Sequence, residues 1–127
     1  MDKIVLQSFT EKWLSSWTGN QPEILLDFYT EDAFYSDPAK PNGLMGKEQL
    51  FAYFKKLLQR NPNWKWTIVE IFETEKGFTL KWKAEIPIGL ENLIIYGLDI
   101  VEITNNKISR NEVYFDRHDW IMKMTNK

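Results

Sequence analysis

Between Gly77 and Pro87 the chain alternates without a break: Phe78, Leu80, Trp82, Ala84 and Ile86 are apolar, and Thr79, Lys81, Lys83 and Glu85 between them are polar. Successive strand side chains point to opposite faces, so this pattern predicts a strand with one face in a core and the other in water. A face of five apolar side chains, one of them an indole, needs a second layer to bury it, and that need organises the rest of the chain. The period of two begins earlier, with Trp64, Trp66, Ile68 and Phe72 on one face and Lys65, Thr67, Val69 and Ile71 on the other. After Pro87 and Gly89, Leu93 to Thr104 is apolar on both faces, and Asn105-Asn106 is a tight-turn signal leading into Lys107 to Arg117. A long antiparallel meander follows from these segments.

The covering layer is predicted from the first half. Leu6, Phe9, Trp13 and Trp17 recur at helical spacing until Gly19; Asn20 and Pro22 then open a second, shorter helix through Ile24, Leu25 and Phe28. A short strand, Ala33 to Asp37, and a turn-rich loop, Pro38 to Gly43, lead to a third helix marked by Leu50, Phe51, Phe54, Leu57 and Leu58 and stopped at Asn61-Pro62. A short helical turn is expected at Trp120 to Met124. The expectation is one domain over residues 1–127, of α+β class, with three N-terminal helices packed on a curved, mostly antiparallel sheet. Ile94, Tyr96, Leu98 and Ile100 share a strand face that water would solvate poorly, which predicts a homodimer through the sheet.

Charge and composition remove several function classes. Sixteen basic residues against eighteen acidic ones, with no basic block, argue against a surface that tracks phosphates, so no nucleic acid partner is expected. The chain has no cysteine, which excludes thiolate catalysis and Cys-ligated zinc, and its single histidine, His118, excludes a His-rich metal site. His118 lies between Arg117 and Asp119 and is expected at the surface. No apolar run reaches the length of a signal peptide or a membrane span, so a cytoplasmic protein without a membrane partner is expected.

The order of helix, helix, short strand ending in Tyr35-Ser36-Asp37-Pro38, glycine, helix and four strands resembles the nuclear transport factor 2-like superfamily. Within it the chain most resembles the SnoaL-like group, which includes polyketide cyclases and relatives of the ketosteroid isomerases. Glu31-Asp32-Ala33, Gly43, Gly46 and Val113-Tyr114-Phe115-Asp116 carry the resemblance along nearly the whole chain. It implies a cone-shaped, cystatin-like fold around a pocket, and it does not choose the chemistry, because one scaffold serves isomerases, cyclases, hydrolases, dehydratases and binding modules.

Three acids are the catalytic candidates. Asp37 falls where the resemblance places a general base, a carboxylate at the rim of an apolar cavity that lifts a proton beside a carbonyl and returns it. Equally, Asp before Pro is an ordinary turn initiator. Asp99 shares its strand face with Leu93, Ile95, Gly97, Val101 and Ile103. If that face is the cavity wall, burial raises the Asp99 pKa and a neutral acid becomes a donor; if it is the dimer or solvent side, Asp99 is simply ionised. By resemblance Asp99 matches an oxyanion-binding acid, and Asp116 matches the acid that shuttles a proton in aldol cyclases, although an Asp before a helical turn is also an ordinary cap. Where the isomerases place a first-helix tyrosine, this chain has Trp13, which offers an N–H and no hydroxyl.

Trp13, Trp17, Tyr35, Tyr53, Trp82 and Tyr114 are the candidate pocket walls, with Trp66 a further aromatic at strand spacing. Two functions fit. One is a cofactor-independent acid/base enzyme, an isomerase, aldol cyclase or dehydratase, acting on a small hydrophobic carbonyl compound with no metal, nucleotide or flavin. The other is a non-catalytic dimeric module that binds a hydrophobic ligand or a protein. Six tryptophans also allow a third outcome, an interior packed solid.

Overall fold

The computed structural model describes residues 2–125. The elements run α1 (Lys3–Ser15), α2 (Pro22–Leu26), β1 (Tyr29–Asp37), β2 (Lys40–Met45), α3 (Lys47–Arg60), β3 (Lys65–Glu73), β4 (Gly77–Ile88), β5 (Glu91–Thr104), β6 (Lys107–Tyr114) and α4 (His118–Thr125). The strands form a six-stranded sheet in the order β2-β1-β6-β5-β4-β3, in which only β1 and β6 run parallel. Among the described residues, no helix is long and apolar enough to cross a membrane.

The expectation of three N-terminal helices is corrected. Only α1 and the five-residue α2 precede the sheet; α3 follows a hairpin. The segment read as a loop because of Pro38, Pro41 and Gly43 instead pairs with β1, Asp37 opposite Lys40 and Tyr35 opposite Leu44. An edge strand tolerates a proline that a central strand would not, so Pro41 does not prevent the pairing. Gly43 has φ of 83°, and a Cβ there would lie 2.3 Å from the Phe34 ring, so the strand closes only with glycine at this point.

The meander follows the predicted parity with one change. Phe78, Leu80, Trp82, Ala84 and Ile86 are buried, and on β5 Leu93, Ile95, Asp99 and Val101 face the core while Ile94, Tyr96, Leu98 and Ile100 face out. On β3 the register slips between Ile68 and Glu70. A bulge inverts every face beyond it, which turns Ile71 toward the core and leaves Phe72 45% exposed, the reverse of the strict alternation. Asn105 and Asn106 both have positive φ, 53° and 67°, the geometry of the tight hairpin expected there.

The helices cover one sheet face. Leu50, Phe54 and Leu58, spaced four apart on α3, are buried, and Phe54 meets Trp17, Tyr29 and Tyr35 ring to ring. From α1, Trp13 and Phe9 both pack edge-on against Phe78 of β4. The final helix, α4, buries none of its residues fully; it is fastened by Lys123 to Glu91 at 2.5 Å and by the ring of Trp120 against Trp64 and Phe115.

Candidate functional site

The aromatic rings do not fill the interior. A cavity of about 400 Å³ lies between the inner face of the sheet, α1, α3 and α4. That is enough for a small organic molecule. Its walls include Trp17, Tyr35, Tyr53, Trp64, Trp66, Trp82, Phe115 and Trp120, and its charged residues are Asp37, Asp99 and Arg117. The sequence candidates Trp17, Tyr35, Tyr53, Trp82, Asp37 and Asp99 are thus brought together at one enclosure.

Three candidates are not. Trp13 is fully buried outside the cavity lining, packed between Trp17 and Phe78, with its Nε1 donating to the Tyr29 hydroxyl at 3.3 Å. Tyr114 is 53% exposed on the outer face and donates to Glu112 at 2.7 Å, because β6 parity turns residues 112 and 114 away from Asn111 and Val113. Asp116 is exposed after the end of β6, and its Oδ1 accepts from the His118 N–H at 2.9 Å; the bland role, fastening the entry to α4, is the one it plays. His118 is exposed, as expected.

Asp37 is held by four donors. Its Oδ2 accepts from the hydroxyls of Tyr35 and Tyr53, each at 2.7 Å, and its Oδ1 from the backbone N–H groups of Ala39 and Lys40, each at 2.9 Å. The turn that Asp37-Pro38 initiates is therefore also what aims this carboxylate: β1 delivers it, the β1–β2 hairpin supplies two donors, and α3 supplies Tyr53. A carboxylate accepts about four hydrogen bonds, so its capacity is used. Burial first, then the neighbouring Asp37 charge, pushes the Tyr35 phenol well above its ordinary pKa; burial and the bond to Asp37 do the same for Tyr53.

Asp99 sits in the middle of β5 with two donors. Trp82 Nε1 donates to Oδ1 at 2.7 Å and Asn111 Nδ2 to Oδ2 at 3.0 Å. The chain continues inward: the Tyr29 hydroxyl donates to Asn111 Oδ1 at 2.8 Å and accepts from Trp13. Gly97 makes the Trp82 contact possible. A Cβ at Gly97, which faces Trp82 across β4 and β5, would lie 2.3 Å from the indole, so the ring lies over the missing side chain and reaches two residues along the strand to Asp99. Burial raises the Asp99 pKa to about 7 against the pull of its two donors, with the Asp37 charge adding to the rise. Two carboxylates on one wall are thereby set apart in their hydrogen bonding.

Asn111 and Tyr29 were missed by sequence reasoning. Asn111 had a signal: it falls on the same parity as Val113 and is a polar residue on a face that should be apolar, which in a buried strand requires a polar partner. Tyr29 had none, since β1 begins four residues before the strand the sequence marks. Trp64, Arg117 and Trp120 also line the cavity without having been singled out.

The model for the SnoaL-like domain family matches residues 10–111. Among curated proteins, none matches the sequence. Solved structures match in fold. A hypothetical protein with a ketosteroid isomerase-like fold from Catenulispora acidiphila, crystallised in complex with trimethylamine, is 18% identical with a TM-score of 0.74, covering 85% of each chain. A proposed SnoaL-like polyketide cyclase from Shewanella putrefaciens is 11% identical with a TM-score of 0.80, covering 97% of this chain and 87% of that one. A SnoaL-like protein of unknown function from Burkholderia thailandensis is 17% identical with a TM-score of 0.75, covering 91% and 98%. Identities this low establish the shared fold.

Proposed function

The chain belongs to the SnoaL-like domain family, and from that premise we propose that it is a cofactor-independent acid/base enzyme of the isomerase, aldol cyclase or dehydratase type, acting on a small hydrophobic carbonyl compound held in the cavity. The observation that carries this reading is Asp99: a carboxyl 5% exposed on an aromatic-walled cavity, bound by only two donors and poised at about 7. A group that titrates near the working pH is both a competent base and a competent acid. In its ionised form Asp99 takes a proton from the carbon beside the carbonyl, and the same oxygen returns it to the rearranged product. Asn111 and Trp82 hold the carboxyl still while its charge changes.

Asp37 has a different part. With its acceptor sites engaged by protein donors, it serves to fix Tyr35 and Tyr53 against the substrate. Asp116 has no part in the reaction, since it lies outside the cavity lining.

All three reaction types begin by loosening a proton next to a carbonyl, so the test does not require the natural substrate. Hydrophobic ketones and enones of a size to fit the cavity are incubated with the protein in D2O, and deuterium uptake at the carbon next to the carbonyl is followed by NMR. Exchange is expected to fall about a hundredfold or more in Asp99→Asn. No exchange above the buffer rate across the panel, or undiminished exchange in Asp99→Asn, would remove the proposal.

A further inference from the structure

Not every donor around the cavity is spent. The hydroxyl protons of Tyr35 and Tyr53 go to Asp37, the Trp82 indole proton goes to Asp99, and the Trp64 indole proton goes to the backbone oxygen of Trp17. Three other lining indoles, Trp17, Trp66 and Trp120, have an N–H with no acceptor among the described residues, and the Arg117 guanidinium stands exposed. Of the three N–H groups only that of Trp66 is also buried. Water can reach and satisfy the other two, whereas a buried donor without a partner carries its desolvation cost uncompensated.

Trp66 comes from β3, and its ring meets that of Trp82 at 4.7 Å between centroids and 79° between planes. Trp82 is the ring whose N–H restrains Asp99, so the unpartnered donor belongs to the next ring along the same wall. Trp64 and Trp82 both stand edge-to-face with Trp66, and a ring face is a weak acceptor beside a carbonyl oxygen. We propose that Trp66 Nε1 donates to the carbonyl oxygen of the substrate while Asp99 takes the proton from the carbon next to it. The proposal rests on the acid/base reading of this site and adds what that reading lacks, a partner for the charge that develops on oxygen. As the C–H bond breaks, its electron pair forms a C=C bond, the C=O pair moves onto oxygen and the proton bonds to the Asp99 carboxylate. The indole keeps its own proton throughout, and the electron pairs move back when Asp99 returns the proton to carbon. A hydrogen bond to the enolate oxygen is stronger than one to the neutral carbonyl, so this donor favours the transition state over the bound substrate.

The test adds Trp66→Phe, which keeps an aromatic ring and removes the N–H, to the deuterium-exchange panel, with acetophenone among its ketones. Exchange is expected to fall at least about tenfold in this variant. Its affinity for α-methylstyrene, in which C=CH2 replaces the C=O of acetophenone, is expected to match that of wild type by calorimetry. In the wild-type chain labelled on its indole nitrogens, the Trp66 N–H signal, identified by its loss in Trp66→Phe, is expected to move downfield with acetophenone and not with α-methylstyrene; this arm does not depend on how well the variant folds. Undiminished exchange in Trp66→Phe, with Asp99→Asn still impaired, overturns the role of Trp66 and leaves the acid/base reading in place. Movement of the Trp17 or Trp120 signal instead of the Trp66 signal overturns the assignment in favour of that donor. Weakened α-methylstyrene binding in Trp66→Phe, with a Trp66 signal that ignores acetophenone, reduces the residue to a wall. No exchange above the buffer rate by any ketone of the panel removes this proposal together with the reading beneath it.

Discussion

Asp37 ends β1 and accepts from four donors, two of them backbone N–H groups of its own hairpin; Asp99 lies mid-strand in β5 and accepts from two side chains. Both are buried to a similar degree, at 8% and 5% exposed. Burial alone therefore does not distinguish the two acids. The supply of donors does: four donors engage Asp37, whereas Asp99, with two, is left partly unsolvated and its pKa rises. The difference is written by position, since a strand end has a turn's free N–H groups beside it and a central strand has spent its own on the ladder.

The comparison breaks most visibly on removal of Asp37. Asp37→Ala leaves two phenol O–H and two backbone N–H groups without their acceptor, and we expect a loss of about 3 kcal/mol in urea unfolding at pH 7. A loss below about 1 kcal/mol would mean that the four bonds are not holding the hairpin to α3.

The next effect is spread over pH as a slope, and within any one pH unit it is smaller than the loss at Asp37. Asp99 has a pKa of about 7 in the fold against an ordinary value of 3.8. A carboxyl with a raised folded pKa favours folding while the folded form keeps a proton that the unfolded form has released, so its contribution is greatest below about pH 4 and is lost as pH rises to about 7. Wild type is thus expected to lose up to about 1.4 kcal/mol per pH unit across that window from this group alone, and Asp99→Asn to lack the loss. The groups facing Asp99, namely Asp37 and Tyr29, are retained in both proteins, so the difference between the two unfolding curves isolates Asp99. Parallel curves from pH 4.5 to 7 would show an unperturbed acid.

Smallest is Tyr53→Phe, which removes one of the four donors while Tyr35 still serves the same oxygen. A cost of about 1 kcal/mol is expected, with no change in the Asp99-dependent slope. A changed slope would mean that the two acids act as one unit.

How much of this was legible beforehand follows from where each signal is local. The parity of β4 and β5 is written in side chains two apart, and it grouped Asp99 with Leu93, Ile95 and Val101; which of the two apolar faces of β5 turns inward is decided by the layer that covers it. The bulge in β3 and the pairing of β2 depend on partners across the sheet, which a single strand's sequence does not contain. The pocket was legible in its wide aromatic supply and in Asp37 and Asp99, but not in its separation of Trp13, which spacing alone puts on the same helix stripe as Trp17. Nor could periodicity show that Asp37 would exhaust its acceptor capacity. That is a count of donors arriving from β1, the hairpin and α3, and it exists only once they meet.

Gly97 gives the site a property that the individual residues lack. Because Trp82 occupies the space a side chain at 97 would take, one indole is at once a wall of the cavity and a donor to its acid. Shape and acidity are therefore inherited together. A larger residue at 97 could not trim the cavity without also displacing the hydrogen bond that restrains Asp99, so a lineage or a designer seeking a new ligand through this strand must accept a new proton chemistry with it.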